Sequence, residues 1–216
     1  MKRGLVRVVL HAIQAWDRLR LAWLRLRHPG LTIHPEASTN FASSDYSIAP
    51  GARLAIGPGA VTERRAGGVR FVLEEGARVT LGERVWLRSE LSPVRVVAFA
   101  GAELELAPEA FLNGCHVSAK RRLRVGRRSW IGPGSRVFDS DQHDFDDAHP
   151  ERIEPVEIGD HVWIASDVTV LRGVRVGHHS VVGARSVVTR DVPDHTLVLG
   201  APARPRGPVG DRSRCR

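Results

Sequence analysis

A chain of 216 residues with 42% hydrophobic content suits one domain with short appendages and has the material for a core. Its net charge of +8 sits at the ends: residues 1–27 hold seven Lys/Arg against Asp17 alone, residues 203–216 hold five Arg against Asp211, and the body between is slightly acidic. That distribution excludes a nucleic-acid-binding body, and two cysteines, Cys115 and Cys215, exclude a disulfide framework and offer no metal-ligand spacing, as a reducing cytoplasm would permit.

Residues 3–27 predict a helix, within an N-terminal segment of residues 1–30. Leu5, Val9, Ala12, Trp16, Leu19, Trp23 and Leu26 alternate steps of four and three and share one face; Arg7, His11, Gln14, Arg18 and Arg25 lie opposite. Pro29 and Gly30 stop it. No uninterrupted apolar span and no small-residue cleavage site predict a transmembrane segment or a signal peptide. Two readings of the stripe stand: it packs on the end of the following domain or on another subunit, or the basic helix with its two tryptophans lies on an anionic membrane surface.

From Leu31 to about residue 200 the chain predicts an all-β domain built as a β-helix. Its signature is clearest at Ile158, Ile164, Val170, Val176, Val182 and Val188, an aliphatic residue at every sixth position, followed mostly by a small one. A period of six belongs neither to an amphipathic helix nor to a plain half-buried strand; it is the repeat of stacked coils in which each six-residue unit is a short strand and a corner. The same step is expected at Ile48 and Leu54, through Leu73, Val79, Val85, Leu91 and Val97, and at Val125, Ile131 and Val137, with a register break at Arg64–Gly68. Residues 138–155 leave the pattern. This Asp-rich segment with His143 and His149 predicts a loop extruded from the coils, the kind of element that carries chemistry on a rigid scaffold. Residues 201–216 predict a short, mobile basic tail.

The segments FLNGCHVSA (111–119), IGPGSRVFDSDQHD (131–144), the six-residue repeats of 156–193 and LGAPAR (199–204) resemble the hexapeptide-repeat acyltransferases with a left-handed parallel β-helix, and within them the maltose, galactoside and polysaccharide O-acetyltransferase branch. The resemblance implies acetyl-CoA as donor, a sugar or glycan hydroxyl as acceptor, no metal, and a cytoplasmic homotrimer with sites between subunits. It implies His143 as general base, Asn113 as an acceptor-orienting residue and Asp141 as a partner of His143. Trp163, Ala165, Ser166, Ala184, Thr189, Arg190 and Arg204 fall where the family touches the cofactor, with amides near Ala165 as oxyanion donors. The spacing from Asn113 to Gly126 is one residue longer than in that branch, and an Asn at a β-helix corner is its alternative reading. Cys115 is read as a buried small hydrophobe and His149 as structural or exposed.

Imidazole chemistry suits this assignment, because an alcohol is a poor nucleophile at neutral pH and needs a base that titrates there. Rival readings on the same architecture are a γ-type carbonic anhydrase, for which neither the His143/His149 nor the His178/His179 pair has suitable spacing; a serine-acetyltransferase-like enzyme, whose family carries a longer helical N-terminal domain; and a non-enzymatic scaffold, which would not bind acetyl-CoA.

Overall fold

A computed structural model describes residues 2–215, with side chains from residue 6. Helix α1 spans Lys2–Arg27 and precedes a left-handed parallel β-helix. Three sheets form the faces of the prism. One runs from Leu31–Ile33 to Arg175–Val176, a second from Val61–Thr62 to Arg204–Pro208, and a third from Asp45–Ile48 to Val187–Val188. The chain visits them in rotation, so each turn of the coil adds one strand to every face.

The six-step rule holds where coils take 18 residues: Ile158 lies beside Val176, and Ile164 beside Val182. Earlier coils are longer. Leu54 lies beside Val79 and Val79 beside Leu104, a spacing of 25 residues, with strands of four or five residues instead of two. The expected six-step therefore fails at Leu91, which is 71% exposed on a bend, while Val94, Val96 and Ala98 point inward and Val97 faces outward. The interior is aliphatic apart from Phe41 and Phe71 in the first coils, and burying each large side chain contributes roughly 1.5–3 kcal/mol. Corners between coils are tight. A Cβ on Gly126 would stand 2.3 Å from the carbonyl oxygen of Gly159, so a side chain there would force the coils apart.

The helix docks differently from expectation. Its buried positions are Asp17, Leu21 and Leu24, whereas the predicted stripe faces solvent: Trp16 is 63%, Leu19 68% and Trp23 54% exposed. Leu5 lies outside the described side chains. The cause is electrostatic as well as apolar. Asp17 receives a bidentate pair from Arg64 (Nε at 2.9 Å, Nη2 at 3.1 Å) at the Arg64–Gly68 break, and Arg25 donates to the Ile33 carbonyl at 2.6 Å. A carboxylate as buried as Asp17 needs such a partner, and this pins the helix by a face that leaves the stripe outside.

The tail is also ordered rather than loose. Arg204–Pro208 pairs antiparallel with Thr196–Leu199, and the residues beyond turn back along one prism edge. There His161, His179 and His195 occupy the same corner of consecutive coils, all at positive φ, with rings 4.9 and 4.7 Å apart and nearly parallel. The Arg212 amide donates to His179 Nδ1 at 3.0 Å. Burial, then the charge of His179, holds His161 below its ordinary 6.5; burial, then Arg95 and Arg136, does the same to His116 on the third face. Both therefore take up protons on unfolding at mildly acidic pH. Folding stability is expected to be full above about 6.5 and to fall as pH drops below it toward the lowered values. Urea midpoints between pH 8 and pH 5 check this, and His161→Gln should flatten the slope.

Candidate active site

Among the described residues, a groove on the second face gathers five sequence-predicted site residues. Asn113, Trp163, Ala165, Ser166 and Ala184 line it together with Phe111, Trp130 and Gly183, and it encloses about 510 Å³, within the range of ligand sites. The strands explain the grouping. Phe111 is in register with Trp130 and Trp130 with Trp163, so aromatic side chains stand in one outward column while Leu112, Ile131 and Ile164 fill the interior. The neighbouring outward position is Asn113 in one coil and then small residues, Gly132, Ala165 and Gly183. Those small residues make the groove.

Asn113 ends its strand at the corner, and its Oδ1 is buried without a hydrogen-bond partner. A buried amide oxygen left unpaired costs about 1–3 kcal/mol, a cost that a hydroxyl or amide donor entering the groove would remove. Trp163 is 42% exposed, and the Arg212 guanidinium lies over its ring at 5.5 Å while donating to the His161 carbonyl. The Ala165 amide does not serve as an oxyanion donor: it is committed to the Val182 carbonyl at 2.9 Å in the coil ladder. Ser135 Oγ likewise donates to the Ala165 carbonyl, fixing this part of the wall.

The loop of residues 139–155 leaves from the edge between the third and first faces, the one edge that does not border the groove. Its root is Asp139, whose buried carboxylate accepts from the amides of Lys120, Arg121 and Arg122 at 2.7, 2.7 and 2.8 Å. Beyond it, Lys120 Nζ holds the Gln142 carbonyl at 3.2 Å and the Glu151 carboxylate at 2.7 Å. Gln142 sits at φ 73°, a left-handed conformation that turns the following His143 outward into solvent. Asp141 gives one oxygen to Arg172 Nε at 2.6 Å and the other to the Arg152 amide at 3.3 Å; Asp144 accepts from the Glu151 amide at 2.6 Å. The two carboxylates flanking His143 thus brace the loop. His149 is exposed, with Nδ1 2.7 Å from Asp146.

Thr189 and Arg190 are exposed on the turn after Val187–Val188, on the third face, and Arg204 is exposed at the start of the last strand, donating to the Ala203 carbonyl. None of the three lines the groove. Cys115 is buried, and burial pushes its thiol up to about 12, which leaves it a packing group and not a nucleophile.

Comparison with known proteins agrees with this architecture. The family model for Bacterial transferase hexapeptide (six repeats) matches residues 155–190. A Schizosaccharomyces pombe protein assigned by inference as an acetyltransferase is 31% identical over 157 residues, which is 69% of this chain and 70% of that protein. The chain belongs to the hexapeptide-repeat acetyltransferase family. As a member it is an acyltransferase enzyme. Nodulation protein L of Rhizobium meliloti is 38% identical over 111 residues, 50% of this chain and 61% of its own length. Among solved structures, the polySia-specific acetyltransferase NeuO superposes with a TM-score of 0.56 over 85% of this chain and 92% of its own, at 19% identity, a likeness of fold.

Sequence reasoning missed Trp130, Phe111, Arg172 and the Arg212 contact. The aromatic positions had a visible signal: Trp86, Phe111, Trp130 and Trp163 each stand immediately before an inward Leu or Ile. Arg172 and Arg212 had none, because each reaches its partner across coils.

Proposed function

We propose that the protein is an O-acetyltransferase that moves the acetyl group of acetyl-CoA to a hydroxyl of a sugar or polysaccharide precursor. The groove carries this reading: an unpaired Asn113 oxygen beside a slot floored by Gly132, Ala165 and Gly183 and walled by Trp163 offers an acceptor contact and a narrow path for a thioester arm on one face. Asn113 orients the acceptor. Ala165, Ser166 and Ala184 contact the pantetheine arm, and Trp163 packs against it. Arg204, with Thr189 and Arg190, meets the cofactor outside the groove, where a guanidinium suits phosphate.

In the reaction, the acceptor oxygen bonds to the acetyl carbonyl carbon as His143 takes the hydroxyl proton. The carbon–sulfur bond then breaks, and the proton passes to the departing thiolate. Asp141 is a positioning residue that holds the loop through Arg172. His143 and the groove stand on opposite parts of one prism, so the loop of a neighbouring copy supplies the base, and the working unit is a homotrimer with sites between subunits. Trp163→Ala is expected to raise the KM for acetyl-CoA on the order of tenfold with folding intact, since its ring is part-exposed. An unchanged KM in steady-state assays with sugar acceptors would remove Trp163 from the donor site.

The helix directs this activity to the cytoplasmic face of a membrane. No helix among the described residues is long and apolar enough to cross one. The exposed stripe of Val9, Trp16, Leu19, Trp23 and Leu26 is bordered by Arg20 and Arg27, while Arg7 and Arg18 stand on the opposite face and Arg25 is held by the Ile33 carbonyl; an outward apolar stripe edged by guanidinium groups is the pattern of a helix lying in an anionic interface. The protein should float with phosphatidylglycerol vesicles and not with phosphatidylcholine ones. Trp16→Ala combined with Trp23→Ala should abolish flotation, and retention by the double variant would refute the contact.

A further inference from the structure

We infer that the second face is a binding track for an extended glycan, with the acceptor chain lying along the aromatic column on the side of Asn113 away from the donor slot. The inference rests on the sugar-transfer reading and specifies its acceptor as an oligo- or polysaccharide instead of a free monosaccharide.

Two outward columns define the track. The first runs Trp86, Phe111, Trp130 and Trp163, in register across four adjacent strands. Trp86 and Phe111 are 5.0 Å apart, and Phe111 and Trp130 6.0 Å. Trp130 and Trp163 belong to the donor half; on the acceptor side the column keeps Phe111 and Trp86 and continues to the exposed Val61, in register with Trp86, so with strands about 4.8 Å apart it extends roughly 10 Å, the length of about two sugar rings. The second column changes character along the prism. Toward the N-terminal coils it is polar, with Glu63 on the turn after its strand, then Arg88 in register with Asn113; past Asn113 it is small, with Gly132, Ala165 and Gly183. One half thus offers ring faces flanked by hydrogen-bonding groups, and the other a narrow slot. The halves meet at Asn113, where a hydroxyl and a thioester would have to meet.

The other faces lack this pattern. Arg53, Arg78, Glu103 and Arg122 align on the first, and Asp45, Arg70, Arg95, His116 and Arg136 on the third. Trp86 is 42% exposed, so folding does not require its ring. Its Nε1 donates to Glu63 Oε1 at 3.0 Å, and Glu63 Oε2 accepts from the Ser89 amide at 2.7 Å, which sets the ring's orientation. The electron-rich face of an indole attracts the positively polarised C–H groups on a pyranose face; the Arg88 guanidinium, paired with Glu90, already lies over part of the Trp86 ring at 5.8 Å, so the sugar takes the ring surface left open and its hydroxyls reach Glu63 and the Arg88–Glu90 pair. A monosaccharide at Asn113 would leave Trp86 untouched; a chain would cover it.

The test measures binding without acetyl-CoA, so it does not depend on turnover. Maltoheptaose, chitohexaose and a sialic acid oligomer are each titrated against wild type and Trp86→Ala by calorimetry, beside glucose, N-acetylglucosamine and sialic acid. At least one chain should bind wild type tenfold or more tightly than its monosaccharide, and Trp86→Ala should remove most of that gain while the monosaccharide affinity stays within about twofold. Equal affinity for all three chains and their monosaccharides overturns the track, as does full chain preference in Trp86→Ala. A change in oligomeric mass in that variant overturns it as well, by making the column a contact between copies. Parallel assays with acetyl-CoA separate the two claims: chain binding without acetylation sinks the transfer reading, and acetylation with no gain from chain length sinks the track.

Discussion

His143→Ala is expected to lower kcat for acetyl transfer about 10²–10⁴-fold, the usual worth of a positioned general base. The imidazole is exposed on a loop that other residues brace, so its removal leaves no cavity and no orphaned partner. Melting temperature and oligomeric mass should therefore stay at the wild-type values while free-thiol release with a sugar acceptor collapses. The pH profile provides a second reading. General-base catalysis gives kcat/KM a pH-dependent limb, and the variant should lose that limb along with its rate. Undiminished turnover, or a variant that keeps the limb, would transfer the role to another group. The helix-edge histidines His161, His179 and His195 cannot substitute easily, because each is fixed in a ring stack at a prism corner.

The sequence was most informative where each residue's environment is set by the repeat. Interior positions from Ile158 to Val188 follow one six-residue register because every coil there has the same length, so an aliphatic residue at each step meets its equivalent in the next coil. The earlier coils hid from that rule because longer strands change the count between corners, which is why Leu91 was placed inward and lies outside. The helix shows a different limit. Helical spacing identified an apolar stripe correctly, yet spacing cannot say which of two faces is docked; that is decided by Asp17 finding Arg64, a partner 47 residues away. The groove residues were legible from resemblance, and register brings Asn113, Trp163, Ala165, Ser166 and Ala184 together. The extruded loop that holds His143 was equally legible, but its distance from the groove on the prism was not, since the loop's departure edge depends on how many strands precede it.

Asp139→Ala is expected to cost roughly 3–5 kcal/mol of stability and to impair catalysis beyond what that loss explains. Its carboxylate is fully buried and is the shared acceptor for three consecutive amides, Lys120, Arg121 and Arg122. Burial pushes the carboxyl above its ordinary 3.8 while the three donors pull it back, so the group combines a desolvation cost with unusually complete solvation by backbone N–H. Alanine removes the cost and the acceptor together. Three amides without a partner cost about 1–3 kcal/mol each, reduced by relief of the buried charge and by any water that enters, and the orphaned donors dominate. The catalytic effect follows from position. The Asp139 carbonyl also accepts from the Glu154 amide at 2.8 Å, so this one residue ties the outgoing and returning ends of the loop to the preceding coil. Losing the side chain loosens the corner from which Lys120 reaches Gln142, the residue before His143. Denaturant midpoints should fall with little change in slope, and amide exchange at residues 120–122 should accelerate. Fully folded variant protein below its transition should still turn over more slowly than wild type. A variant within 1 kcal/mol of wild type and equally active would show that the corner holds without its carboxylate, and that the loop is positioned by Arg172 and Lys120 alone.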